Sequence, residues 1–65
     1  MVIHFVEDRF ETLTNVCKVS ELDQVQLYLV DWGYNTEEQR NAAKAHKRIK
    51  LIDPDYFLNL LKQHL

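Results

Sequence analysis

Two adjacent carboxylates, Glu7 and Asp8, follow directly after a short apolar run and precede a helical pattern. The apolar residues 2–6 predict a strand, and such near-continuous hydrophobicity is typical of a buried parallel strand. In an open α/β sheet, ligands bind at the carboxyl ends of the strands, where the loops bring side chains together. The sequence therefore places Glu7 and Asp8 where a ligand would bind.

Two interpretations of this acidic pair are open. Asp8 has the position and the residue type of a helix N-cap, which would leave Glu7 as a solvated acid. Two acids in tandem at the end of a strand are also a pattern expected of a metal site. We favour the metal site, with Glu7 and Asp8 as the metal ligands.

The turn Trp32-Gly33-Tyr34 is the second stretch of interest. Its rings would suit an aromatic ligand surface, but we favour a packed turn whose rings cover the end of the sheet. Gly33 is the only glycine in the chain and is the expected site of a positive φ angle. Asp31 is predicted to be an exposed loop acid rather than a neighbour of the metal.

The remaining ionisable residues are predicted to have structural rather than functional roles. A cationic group near the end of a predicted helix would offset the helix dipole, and the net charge of −2 argues against nucleic acid as a partner. His4 is predicted to be hydrogen-bonded or at an edge rather than a catalytic base, and Cys17 to be inert packing. The cationic group comprises Lys44, His46, Lys47, Arg48 and Lys50.

The elements that must position these residues alternate as β-α-β-α-β-α, which predicts a parallel sheet with right-handed connections. Thr36 and Gln39 form a capping-box pattern, and Asp53 precedes Pro54 as the N-cap of a last helix. The strands are predicted at 2–6, 25–30 and 49–52, and the helices at about 9–18, from Thr36 to the cations at 44–48, and from Pro54. The apolar stripes of the first and last helices comprise Phe10, Leu13, Val16 and Cys17, and Phe57, Leu60, Leu61 and Leu65.

The bulk properties predict one small α/β domain over residues 1–65. The lone cysteine excludes an internal disulfide and fits a reducing cytosol. No apolar run approaches the roughly 20 residues that cross a bilayer, and no signal peptide is recognisable. A cytoplasmic protein without a membrane partner is therefore expected.

The whole chain resembles the C-terminal part of a haloacid dehalogenase (HAD)-like hydrolase of the phosphoglycolate-phosphatase-like branch. Glu7-Asp8 after an apolar strand looks like the family's fourth motif, a hydrophobic strand closed by an acidic pair. The run Val30-Asp31-Trp32-Gly33-Tyr34 is similar to the turn that follows the next strand in that branch. More loosely, Leu51-Ile52-Asp53-Pro54 resembles the family's final strand and helix. The resemblance implies a three-layer sheet, the C-terminal half of a HAD-like Rossmannoid fold.

The resemblance also implies roles for the acidic pair. Glu7 and Asp8 would hold Mg²⁺, directly or through water, and the ion would position and neutralise the phosphate of a small phosphorylated substrate. No catalytic residue is assigned, because the family's DxDx(T/V) nucleophile motif is absent from the sequence and Asp53-Pro54-Asp55 lacks the following Thr or Val. We therefore expect the isolated chain to be inactive and to bind Mg²⁺ weakly or not at all. Its partner would be an N-terminal half that carries the nucleophile.

A second function is a non-catalytic interaction module. In the family's sheet, the strand equivalent to residues 2–6 lies beside the strand that bears the nucleophile. Without that neighbour, residues 2–6 would form an apolar edge strand, which is a template for pairing with another chain. The expected product is a homo-oligomer in which this strand pairs antiparallel with its own copy.

Overall fold

The computed structural model of the chain describes residues 3–63. These residues alternate between strands and α-helices, as the sequence predicts, with a short 3₁₀ turn at Ser20–Leu22 inside the predicted connection 19–24. The strands are β1 (His4–Glu7), β2 (Gln26–Val30) and β3 (Ile49–Ile52), and the helices are α1 (Phe10–Cys17), α2 (Glu37–Ala45) and α3 (Pro54–Gln63). Val2 and Leu65, predicted to belong to the first strand and the last helix, lie outside the described residues.

The three strands form one parallel sheet in the order β1-β2-β3. Val6 pairs with Tyr28, and Leu29 pairs with Leu51. The parallel arrangement brings the carboxyl ends of all three strands to the same end of the sheet. Glu7 is the last residue of β1 rather than the first residue after it, so the acidic pair begins inside the strand.

The sheet separates two hydrophobic cores, because successive residues of a strand face opposite sides. Leu27 and Leu29 of β2 belong to the core that includes Leu13 of α1 and Ala43 of α2. Tyr28 and Val30, also of β2, belong to the core that includes Leu60 of α3. The chain is thus a small three-layer α/β unit with α1 and α2 on one face and α3 on the other.

The two helix starts recognised in the sequence are confirmed in atomic detail. The Thr36 hydroxyl accepts a hydrogen bond from the Gln39 N–H at 3.2 Å, and the Gln39 side chain accepts one from the Thr36 N–H at 2.9 Å. Asp53 accepts a hydrogen bond from the Tyr56 N–H at 2.8 Å. Both caps satisfy amides that have no partner inside their helix.

Two predictions about the helices are wrong. Helix α2 ends at Ala45 with an extended His46 as its C-cap, so the helix does not reach Arg48. The Arg48 guanidinium instead donates to the backbone carbonyls of Leu22 and Val25, at 3.0 and 3.1 Å. In α3, Leu61 is 45% exposed and leaves the predicted buried stripe.

No helix within residues 3–63 combines the length and the hydrophobicity needed to span a membrane.

Candidate functional site

The carboxyl end of β1 presents Glu7 and Asp8, both partly buried. The Glu7 Oε1 atom accepts hydrogen bonds from the Asp8 and Arg9 N–H groups, at 3.0 and 3.2 Å. Arg9 is the N-cap residue of α1 and makes no capping hydrogen bond through its own side chain. The interpretation of Asp8 as the N-cap of α1 is therefore wrong. One Glu7 oxygen accepts from the two amides that lead into the helix, and the Asp8 carboxylate faces the Tyr34 N–H.

Asp8 packs against the turn that follows β2. A Cβ atom built on Gly33 would overlap the Asp8 Cβ atom and lie 3.2 Å from the Asp8 Cα atom. The Tyr34 N–H points at the Asp8 Oδ2 atom across 3.4 Å, at the long end of hydrogen-bond distances. Gly33 does not have a positive φ angle, so the prediction of one is wrong. Glycine is needed here because the Asp8 Cβ atom occupies the space that a side chain at position 33 would fill.

Asn35 connects the two loops through its side-chain amide. The Nδ2 atom donates to the carbonyl of Asp8 at 2.9 Å and to the carbonyl of Val30 at 2.8 Å. Arg40 in turn donates through Nη1 to the carbonyl and to the Oδ1 atom of Asn35, both at 2.9 Å. Sequence reasoning missed Asn35 and Arg40. The available signal was an amide residue placed immediately after a turn at the end of a strand.

The surroundings of Asp8 favour its ionised form. The pKa of Asp8 lies below its ordinary value of 3.8, and the largest cause is the interaction with the neighbouring Glu7 side chain. Desolvation acts in the opposite direction, whereas the Tyr34 N–H and the positive charge of Arg9 lower the pKa further. Asp8 is therefore a carboxylate throughout the neutral range, as a metal ligand must be.

An open cavity of about 450 Å³ lies beside this junction, lined by Asp8, Val30, Trp32, Gly33 and Tyr34. The Trp32 ring is half exposed and lies 5.9 Å from the Phe57 ring of α3, centroid to centroid. Tyr34 is 79% exposed, with the Arg9 guanidinium 5.9 Å from its ring centroid. The prediction that the rings of this turn pack over the end of the sheet is therefore wrong for Tyr34, because its ring is exposed to solvent.

The donor set at this site is compatible with a hard divalent cation. Glu7 and Asp8 contribute carboxylate oxygens, and Mg²⁺ in proteins commonly takes one or two carboxylates together with water and substrate phosphate. No group of three or more Asp, Glu, His or Cys side chains with metal-binding geometry occurs among residues 3–63. Two carboxylates are too few ligands for a closed structural metal site, so water and phosphate would have to complete a Mg²⁺ site here.

Several other ionisable residues have partners inside the fold. His4 Nδ1 and the Tyr28 hydroxyl are 2.8 Å apart, in line with the prediction that His4 is hydrogen-bonded. Burial raises the pKa of the Tyr28 hydroxyl. The Lys50 ammonium lies 4.5 Å from the Tyr56 ring centroid, and its pKa is raised by a hydrogen bond with the Tyr56 hydroxyl. Arg48 likewise binds loop carbonyls, so these two cations are engaged within the fold.

Comparisons of the chain with protein-family models, with curated proteins and with solved structures find no match.

Proposed function

We propose that this chain is the metal-binding, C-terminal part of a HAD-like phosphatase. Glu7 and Asp8 hold Mg²⁺ at the carboxyl end of β1, and the ion neutralises the phosphate of a small substrate. The chain's own residues orient the carboxylates and keep Asp8 ionised. The nucleophile comes from a segment with a DxDx(T/V) motif, which residues 1–65 do not contain.

One observation carries this proposal. The two sequence features that resemble the family, the acidic pair and the Trp32-Gly33-Tyr34 turn, are 24 or more residues apart along the chain, yet they are in direct contact. Asp8 fills the space beside Gly33, and the Tyr34 N–H faces its carboxylate. This contact lies at the end of a parallel sheet where loops form ligand sites. A helix cap alone would not require such a contact.

Metal binding by the isolated chain is expected to be weak, because Mg²⁺ gives up its water reluctantly and the substrate phosphate is missing. Mn²⁺ is a suitable paramagnetic probe, since it shares the preference for oxygen ligands and broadens nearby amide signals even at low occupancy. We expect broadening centred on Glu7 and Asp8 that excess Mg²⁺ reverses. Asp8→Asn should abolish the effect, whereas Glu21→Gln, at the exposed 3₁₀ turn, should leave it unchanged.

A phosphatase assay complements the metal titration. With Mg²⁺ and p-nitrophenyl phosphate, the 65-residue chain is expected to show no turnover, because it lacks a nucleophile motif. Turnover that disappears in Asp8→Asn would contradict this expectation. A reading frame upstream of Met1 that encodes a strand with DxDx(T/V) would support the phosphatase proposal over the alternative below.

The second candidate function is self-association through β1. This strand lies at one edge of the sheet, and two large apolar residues remain exposed, Phe5 within the strand at 36% and Ile3 immediately before it at 54%. Pairing with a second copy would cover both residues and extend the sheet. Sedimentation should then show a dimer at high micromolar concentration, which Phe5→Lys disrupts. A monomer at that concentration would rule this candidate out.

A further inference from the structure

The side-chain amide of Asn35 lies between the ends of β1 and β2. No sequence motif predicted this position. An asparagine amide has two N–H donors and one carbonyl acceptor. Both acceptors that face Nδ2 are backbone carbonyls, one from Asp8 after β1 and one from Val30 at the end of β2. A single planar group therefore joins the loop that carries the acidic pair to the neighbouring strand.

The orientation of this amide is decided by its surroundings. The Oδ1 atom faces the Arg40 guanidinium, which can only donate, and the Nδ2 atom faces two carbonyls, which can only accept. A flipped amide would lose all three hydrogen bonds. Arg40 also binds the main-chain carbonyl of Asn35, so the guanidinium holds both the side chain and the backbone of the residue.

We propose that Asn35 is a positioning residue for the Asp8 carboxylate. Its hydrogen bond to the Asp8 carbonyl holds the Asp8 backbone against Gly33, and Arg40 holds the amide in the orientation that this requires. The residues that support metal ligands through hydrogen bonds typically change affinity about 10- to 100-fold when they are replaced. The role of Asn35 toward a metal rests on the function proposed above, whereas the connection between the two loops stands without it.

The first test uses the metal-free chain. In the wild type, an NOE is expected between the Asp8 Hβ protons and the Gly33 Hα protons. Asn35→Ala should abolish this NOE while the contacts of the buried Leu13 persist, because only the connection between the loops is removed. Asn59→Ala is the matched control, since Asn59 is an exposed residue of α3. Retention of the Asp8–Gly33 NOE in Asn35→Ala would overturn the proposal.

A second measurement needs no variant and covers the case in which Asn35→Ala does not fold. The side-chain amide protons of Asn35 make two hydrogen bonds, whereas Asn59 lies exposed on α3. We expect the Asn35 side-chain amide to exchange with solvent at least about tenfold more slowly than that of Asn59. Equal exchange rates would overturn the proposal whether or not the variant folds.

The metal test separates this proposal from the proposed function. If Mn²⁺ broadens the Asp8 signals of the wild type, Asn35→Ala should weaken its binding by about tenfold, and an affinity within twofold of wild type overturns the role toward the metal. If Mn²⁺ does not bind near Asp8 at all, the proposed function fails. The NOE and the exchange rates then still decide whether Asn35 holds the two loops together.

Discussion

Gly33→Ala is expected to destabilise the chain, although replacement of glycine by alanine often has the opposite effect. Where the backbone conformation suits both residues, alanine stabilises by about 0.4–1 kcal/mol, because the unfolded chain has less freedom to lose. Gly33 does not have a positive φ angle, so its backbone conformation is accessible to alanine. The obstacle is space: the new methyl group would overlap the Asp8 Cβ atom and lie 3.0 Å from the Val30 Cγ2 atom.

The size of the effect follows from what must move. The position of the Asp8 Cβ atom is fixed by the Asp8 backbone, so the methyl group is accommodated only if the two loops separate. Overpacking of this kind costs about 1–3 kcal/mol, and the gain from the unfolded state leaves a net loss of about 1–2 kcal/mol. For a domain of this size, each kcal/mol lowers Tm by about 4–8 °C, so we expect a decrease of roughly 5–15 °C.

Thermal unfolding followed by circular dichroism measures this change. Ala42→Ser is a suitable control because it adds one heavy atom at an exposed position of α2, where the effect should stay within about 0.5 kcal/mol. An unchanged or raised Tm in Gly33→Ala, together with unchanged NMR shifts at Asp8, would refute the close packing of the two loops.

Three further changes test the account at separate points. Thr36→Ala should cost about 1 kcal/mol in urea unfolding because the capping box is lost, and Thr36→Ser should restore most of the stability. The pKa of Asp8 is lowered in the folded chain, so the carboxylate's contribution to stability is complete above pH 3.8 and is lost as pH falls below that value. Asp8→Asn should therefore lose less stability than wild type between pH 6 and pH 3. A comparison of the urea midpoints of the two proteins at each pH would detect this difference. Arg48→Gln should lower the free energy of unfolding by about 1–3 kcal/mol, because loop carbonyls lose a charged donor. Lys47→Gln, at an exposed neighbour, should be nearly neutral, and equal effects of the two changes would refute the role of Arg48.

Local sequence patterns correctly predicted the α/β class and the order of the strands and helices. The Thr36 capping box and the Asp53 cap involve residues three positions apart, so the sequence contains the whole interaction. The alternation of strands and helices follows from apolar periodicity, which likewise depends on near neighbours. The helix end after Ala45 was missed because Arg48 binds carbonyls that are 23 to 26 residues away.

The site depended on contacts that periodicity does not encode. Asp8 had every local feature of an N-cap, but its carboxylate faces Tyr34, 26 residues further along the chain. Gly33 suggested a turn with positive φ, whereas the structure shows that its lack of a side chain leaves room for the Asp8 Cβ atom. Asn35 could not be recognised from the sequence, because its side chain binds two carbonyls from different strand ends. Residue types therefore indicated a candidate site at the end of β1, and only the fold showed which contacts connect its parts.

The most direct test of the central claim is the Mn²⁺ titration of the isotope-labelled chain, followed at every backbone amide. The chain offers an internal control in Glu37-Glu38, a second pair of adjacent acids at the start of α2. The phosphatase proposal predicts that broadening is strongest at Glu7 and Asp8, extends across space to Tyr34, and disappears in Asp8→Asn. Broadening that is equal at the two acidic pairs, or that persists unchanged in Asp8→Asn, would contradict a metal site at the end of β1.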